Sequence, residues 1–319
     1  MKQLYFILLF IFSIGCANKI QFSIGEKRAF FGETAIFNNK ADILWIIDNS
    51  SSMQQHQVRL REQIPQLVAQ LNLSNVDYHI AVITTDMRSS GTGGRFIGTP
   101  TVITRTTNNI EELLSDRIVA GEAGSNLERG LQSMVSVLSS NYLSYEGRGF
   151  FRDGAMLSIN VLSDEDDFSG YATQDVVQFL NQLKPSGPGT GQGWLFNFIG
   201  VTQNSSLCTT YNDYAGVGTK YMDLVSVSGG INSSICTVNL AQAVSNIQVK
   251  LIQILRDYYL AQEPNIETIV VKIDGMVIPQ DEQNGWSYIP ENMIIRFNGN
   301  AVPGPYSSVV VDFTPLAPD

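Results

Sequence analysis

Residues Ile43-Leu44-Trp45-Ile46-Ile47 form an unbroken apolar run that stops at Asp48 and gives way to Asn49, Ser50, Ser51, Ser52 and Met53. A short apolar run bounded by polar residues predicts a strand buried on both faces, as in the middle of a parallel sheet. The same pattern recurs at Val76 to Thr85, Ala155 to Leu162 and Trp194 to Val201, with shorter strands predicted at Thr101 to Thr104 and Tyr221 to Ser226. Between the strands the apolar period lengthens to that of a helix. Val58, Leu60, Ile64, Leu67, Val68 and Leu71 mark one from Met53 to Leu71, which Pro65 should kink or divide. Others are predicted at Asn109 to Ile118, Leu127 to Leu138, Thr173 to Leu183 and Leu240 to Leu260. This alternation predicts an α/β domain over residues 40–260, with a doubly wound, mainly parallel Rossmann-like sheet.

The pattern changes at Ala261-Gln262-Glu263-Pro264. Thr268 to Ile273 and Met276 to Ile278 flank Asp274-Gly275, a hairpin signature. Gly285 to Ile289, Met293 to Phe297 and Ser307 to Phe313 add further short strands. Residues 261–319 therefore read as a small all-β unit, too small for a large core of its own and expected to pack on the α/β domain. Residues 16–39 lack clean periodicity and read as a linker and edge segment.

The amino terminus changes the picture of where the chain works. Met1-Lys2 precedes an apolar run from Leu4 to Ile14, then Gly15-Cys16, which reads as a secretory signal peptide over 1–15. The run is too short to span a bilayer comfortably. Ser13-Ile14-Gly15-Cys16 is similar to a bacterial lipobox, with Ser13 where Leu is usual, so Cys16 is the expected lipidation site. Ordinary cleavage nearby, leaving Cys16 as a thiol, is the alternative. Of the three cysteines, Cys208 and Cys236 then remain to pair in an oxidising compartment or to persist as buried thiols. Ala17 is not an inner-membrane retention signal of the Asp type, which favours the outer membrane. A net charge of -10 and the lack of a long basic cluster argue against nucleic acid and anionic membrane surfaces as partners.

The candidate chemistry lies in the loops after the strands, where open α/β sheets place their ligands. Asp48, Ser50 and Ser52 follow a D-x-S-x-S spacing that can turn one carboxylate and two hydroxyls toward one point. Oxygen-only donors suit Mg2+ before Ca2+ and are poor for zinc. The pattern resembles the von Willebrand factor A family and its metal-ion-dependent adhesion site. In that family a second loop supplies a Thr and a third an Asp. Here Gly124-Ser125-Asn126 and Gly130-Leu131 match the second loop, with Ser125 in the Thr position. Ser163-Asp164-Glu165-Asp166-Asp167 matches the third and is similar to the loop of bacterial exported lipoproteins of this type. The resemblance implies metal ligation by Asp48, Ser50, Ser52, Ser125 and Asp164. Mg2+ is the expected ion, with Mn2+ or Ca2+ as substitutes.

Four neighbouring acids at a strand end call for solvent or a cation to offset their repulsion. Glu165 and Asp166 are candidates for a second ion. Glu128 either backs the site through a hydrogen bond or lies on the helix surface. Asp86 ends the neighbouring strand and is expected to face the same crevice. His56 is expected to be exposed, and His79 falls within a strand. No nucleophile elbow, P-loop, H-E-x-x-H or C-x-x-C is present, so an enzyme is not expected. The resemblance implies a lipid-anchored adhesin-like module of the bacterial envelope that captures a carboxylate of a protein partner through its cation. The alternative is a periplasmic structural or assembly factor with a vestigial metal site.

Overall fold

A computed structural model describes residues 31–36, 39–185, 193–210, 216–304 and 307–316. Cys16 and the expected signal peptide lie outside them. In chain order the elements begin with β1 (Phe31–Ile36), β2 (Lys40–Ile47), α1 (Gln54–Arg61), α2 (Ile64–Leu73), β3 (Asp77–Thr84), β4 (Ile103–Thr104) and α3 (Ile110–Ile118). There follow α4 (Gly130–Val137), α5 (Ser140–Ser144), β5 (Met156–Ser163), α6 (Thr173–Leu183), β6 (Trp194–Gly200), α7 (Ser206–Thr210), α8 (Thr219–Ser228), β7 (Asn232–Ser234) and α9 (Ala241–Leu255). The chain closes with β8 (Asp257–Tyr259), β9 (Val270–Ile273), β10 (Met276–Ile278), β11 (Trp286–Ile289), β12 (Ile294–Phe297) and β13 (Ser308–Phe313).

The six-stranded sheet runs β4-β3-β2-β5-β6-β7, all parallel except β4. β2 lies between β3 and β5, so the chain leaves it first toward one edge and later toward the other. That reversal opens a crevice at the carboxyl end of β2. Alternation along β2 serves both faces. Ile43, Trp45 and Ile47 join the core under α1, α2, α3 and α9, with Leu60, Leu71, Ile118 and Leu251. Leu44 and Ile46 join the opposite core with Leu131, Met134, Leu180 and Leu224 from α4, α6 and α8. Among the described residues no helix is long and apolar enough to cross a membrane.

Several elements differ from the sequence reading. Pro65 divides the first helical stretch, sitting in the opening turn of α2, where its missing N–H has no partner to lose. Tyr221 to Ser226 is helical, not a strand. Tyr221, Leu224, Val225 and Ser228 are buried at helical spacing, and Gly229 ends α8 in the left-handed region at φ 67°. The outer strand is instead the short polar β7. Residues 127–129 are loop, and the helix starts at Gly130. The last long helix stops at Leu255, and β8 pairs with β12.

The small sheets β1-β13-β9-β10 and β11-β12-β8 share one core that includes Tyr258, Val271, Trp286, Phe297, Val311 and Phe313. β1 belongs to this unit, antiparallel to β13 from Phe31↔Phe313 to Ile36↔Ser308. The Asp274-Gly275 turn is a tight hairpin with φ of 50° and 82°.

Cys208 and Cys236 form a disulfide, 28 residues apart in sequence. Closing a loop of that length removes chain entropy from the unfolded state worth roughly 3.5 kcal/mol. Cys208→Ser/Cys236→Ser is expected to lower unfolding stability by about that amount. An unchanged denaturation midpoint would show that the bridge contributes nothing.

Candidate metal centre

Asp48 directly follows β2, and its N–H continues the β2–β5 ladder by donating to the Leu162 carbonyl at 2.9 Å. The side chain is fully buried. Its Oδ1 accepts from the Ser50 N–H at 2.9 Å and its Oδ2 from the Ser163 hydroxyl at 2.6 Å. The turn thus formed sets the Ser50 and Ser52 hydroxyls 3.2 Å apart. Buried Gln57, on α1, clamps the loop. It donates to the Asp48 carbonyl at 2.8 Å and the Gly121 carbonyl at 3.0 Å, and accepts from the Gly121 N–H at 3.1 Å.

The second loop docks on the first. The Gly124 N–H donates to the Asn49 carbonyl at 2.8 Å. A Cβ at position 124 would lie 2.4 Å from that oxygen, so only glycine permits the approach. Ser125 is thereby placed beside the first loop, its Oγ accepting from the Leu127 N–H at 3.0 Å. Glu128 is fully buried, not on a helix surface. Its Oε2 accepts from the Thr85 hydroxyl, and its carboxyl meets that of Asp48.

The third loop separates its four acids. Asp164 is fully buried, and neither of its carboxylate oxygens has a well-formed hydrogen bond. Glu165 is half-buried and near enough to Asp48 to feel its charge. Asp166 turns away and accepts from the Lys220 N–H at 3.0 Å. Asp167 is structural. Its Oδ2 accepts from the Leu131 N–H in the first turn of α4 at 2.9 Å, and its Oδ1 from the Ser169 N–H at 2.9 Å. That acid satisfies one of the open donors at a helix start.

Electrostatics mark the crevice. Burial, the Asp48 charge and Glu165 push Asp164 up to about 7. Burial and the Asp48 charge push Glu128 up to about 9. Asp48 is raised by burial, against its hydrogen bonds. No ion pair reaches Asp48, Glu128 or Asp164 among the described residues. Each carboxylate therefore penalises ionisation of the next, and one Glu128 oxygen and both Asp164 oxygens lack partners. A divalent cation would reverse all of these penalties at once. The donors also suit a hard ion, being carboxylates and hydroxyls only. No cluster of three or more His, Cys, Asp or Glu side chains poised for a metal occurs among the described residues, so hydroxyls must supply part of any shell.

Two expectations are corrected. Asp86 does not offer a free oxygen to an ion, because Arg88 takes both its oxygens, at 2.9 and 2.8 Å, and holds it below the usual carboxylate range, while the same guanidinium donates to the Ala123 carbonyl of the second loop. His56 is buried, not exposed, with Nδ1 against the Arg59 guanidinium. Burial and that charge push it down to about 3. Gln57 and Thr85 organise the site but carry no motif that would single them out, and Ser163 and Asp167 lie in the third-loop motif without its spacing showing their bracing roles.

No family model matches the chain, and no curated protein matches it. Among solved structures it is similar to proximal thread matrix protein 1 of the mussel byssus, at 13% identity and a TM-score of 0.45, covering 73% of this chain and 52% of that one. It is similar to the pilus adhesin SpaC of Lactobacillus rhamnosus GG at 10% identity and a TM-score of 0.45, covering 89% and 41%. A structure of the byssus protein with a zinc-occupied MIDAS motif aligns at 12% identity and a TM-score of 0.39, covering 69% and 48%. The chain thus spans about half or less of the length of these proteins.

Proposed function

We propose that this chain is a divalent-cation-dependent protein-binding module. Ser50, Ser52 and Ser125 hydroxyls and the Asp48 and Asp164 carboxylates would hold Mg2+, directly or through water. The observation that carries this reading is Asp164, a fully buried carboxylate with no well-formed hydrogen bond to either oxygen, set close to the Ser52 hydroxyl and beside two further buried acids. Glu128 backs the ion by occupying the Asp48 side of the crevice. The cation supplies an open coordination position of positive charge, suited to a carboxylate from a partner protein. Cys16 would carry the lipid that places the module on the bacterial envelope, facing out from the outer membrane or into the periplasm.

The test is calorimetric titration of Mg2+ into the chain from Ala17 onward, with and without acetate, beside Ser52→Ala. Saturable binding, at least tenfold weaker in the variant, is expected, since the variant removes one of few protein donors (about 1.4 kcal/mol or more). No binding of Mg2+, Mn2+ or Ca2+, even with acetate, would favour a structural or assembly factor with a vestigial site.

A further inference from the structure

We propose that the crevice continues into an apolar subsite made by Leu127 and Phe168, so that the partner segment presents a large apolar side chain beside its acidic one. This inference rests on the cation-dependent reading above and names the partner chemistry. Leu127 is 51% exposed and Phe168 52%. A scattered exposed hydrophobe needs no explanation. These two are not scattered, for they sit on the second and third site loops. The Phe168 N–H donates to the Glu128 carbonyl at 2.7 Å, which sets both residues on neighbouring backbone. Leu127 is one hydrogen bond from the Ser125 hydroxyl.

The backbone under the pair is fixed. Glu128 next to Leu127, and Asp167 next to Phe168, are both buried. Arg129 is tied to Thr85 at 3.1 Å and Asp167 to α4. The exposure therefore does not come from a loose loop. A partner covering these side chains pays little to order them. Burying a Phe and a Leu contributes more than a single exposed carboxylate contact. Charge gives the second argument. The chain carries a net charge of -10, so an acidic partner meets long-range repulsion. A lone carboxylate has only the cation to hold it, whereas an acidic–apolar pair adds contact that salt and net charge do not oppose.

The full chain, solubilised in detergent and saturated with Mg2+, is titrated calorimetrically with three capped tripeptides, Gly-Glu-Gly, Leu-Glu-Gly and Gly-Glu-Leu. The same series is run in EDTA and with the variants Leu127→Ser/Phe168→Ser, Leu127→Ala and Phe168→Ala. At least one leucine peptide is expected to bind about fivefold or more tighter than Gly-Glu-Gly, the scale of a partly buried leucine. In the double variant the advantage should fall below about twofold, with Mg2+ affinity unchanged, and each single variant should lose part of it. Equal binding of all three peptides overturns the apolar subsite and leaves the cation site standing. A leucine advantage that persists in EDTA also overturns it, as non-specific adhesion. Mg2+ binding without binding of any peptide overturns carboxylate capture itself, and the subsite with it.

Discussion

Asp164→Asn stabilises the cation-free protein and abolishes its response to Mg2+. Asp164 is fully buried, its carboxylate oxygens make no well-formed hydrogen bond beyond the nearby Ser52 hydroxyl, and it faces Asp48 and Glu165. Its native pKa of about 7 lies above the ordinary 3.8. Between those values the native state keeps a proton that the unfolded state has released. Native protons outnumber unfolded ones, so stability falls as pH rises through this window. Glu128 acts in the same direction from 4.5 to about 9. The cation-free protein should therefore lose stability steadily from pH 4 toward pH 9. At pH 8 the Asp164 share is on the order of 4 kcal/mol, and the buried amide of the variant recovers roughly 2 of it. Mg2+ acts on the same charges. At a hundredfold excess over its dissociation constant it adds about 2.7 kcal/mol to the wild type. The variant, lacking the carboxylate, should gain almost none. Urea unfolding at pH 8 in EDTA and in Mg2+ checks both halves. A variant less stable than wild type in EDTA, or equally stabilised by Mg2+, would remove Asp164 from the cation site.

The legible part of this chain was the part whose environment is uniform. β2, β3, β5 and β6 are buried along most of their length, so each appears as an apolar run. β7 is three polar residues at the sheet edge and carries no such mark. α8 contains Tyr221, Leu224, Val225 and Val227 in a short span, which imitates a strand until the burial at 221, 224, 225 and 228 is known. The pairing of β1 with β13 joins the two ends of the described chain, and no local pattern encodes it. The first and third polar loops were legible because each follows an apolar strand, whereas the second lies between α3 and α4 and was marked only by its Gly124-Ser125-Asn126 and Gly130-Leu131 spacing. Their internal division of labour was not. Asp86 is lost to Arg88 two residues on, a choice between two nearby charges that composition leaves open. Asp167 and Asp164 are the same residue type three positions apart, yet one fastens a helix and the other is left unpartnered.

At the opposite end of β2, Asp42→Ala is expected to cost about 3–5 kcal/mol without touching the cation site. Asp42 is fully buried and accepts from the Arg152 N–H at 2.7 Å and the Arg152 Nε at 2.8 Å, with Lys184 Nζ at 3.8 Å. Lys184 is itself buried, donates to the Arg152 and Ala155 carbonyls at 2.7 Å each, and lies 3.9 Å from the centre of the Phe151 ring. Burial lowers its pKa to about 8 even with Asp42 opposing the shift. Removing Asp42 strips the buried Lys184 ammonium of its nearest counter-charge and leaves Arg152 only its partly exposed ion pair with Asp77, at 2.9 Å, which is the costly way to break such a cluster. Asp42→Asn keeps acceptor oxygen but not charge, so its cost should be smaller. Adding Lys184→Met to Asp42→Ala should recover part of the loss, about 1–3 kcal/mol, because the two groups share one network. Asp42 and Asp48 are separated by six residues of strand, about 20 Å. The Mg2+ affinity of the folded variant should therefore match wild type. A midpoint shift in urea equivalent to less than about 1 kcal/mol would show that the cluster is solvated in solution and does not hold the amino end of the sheet.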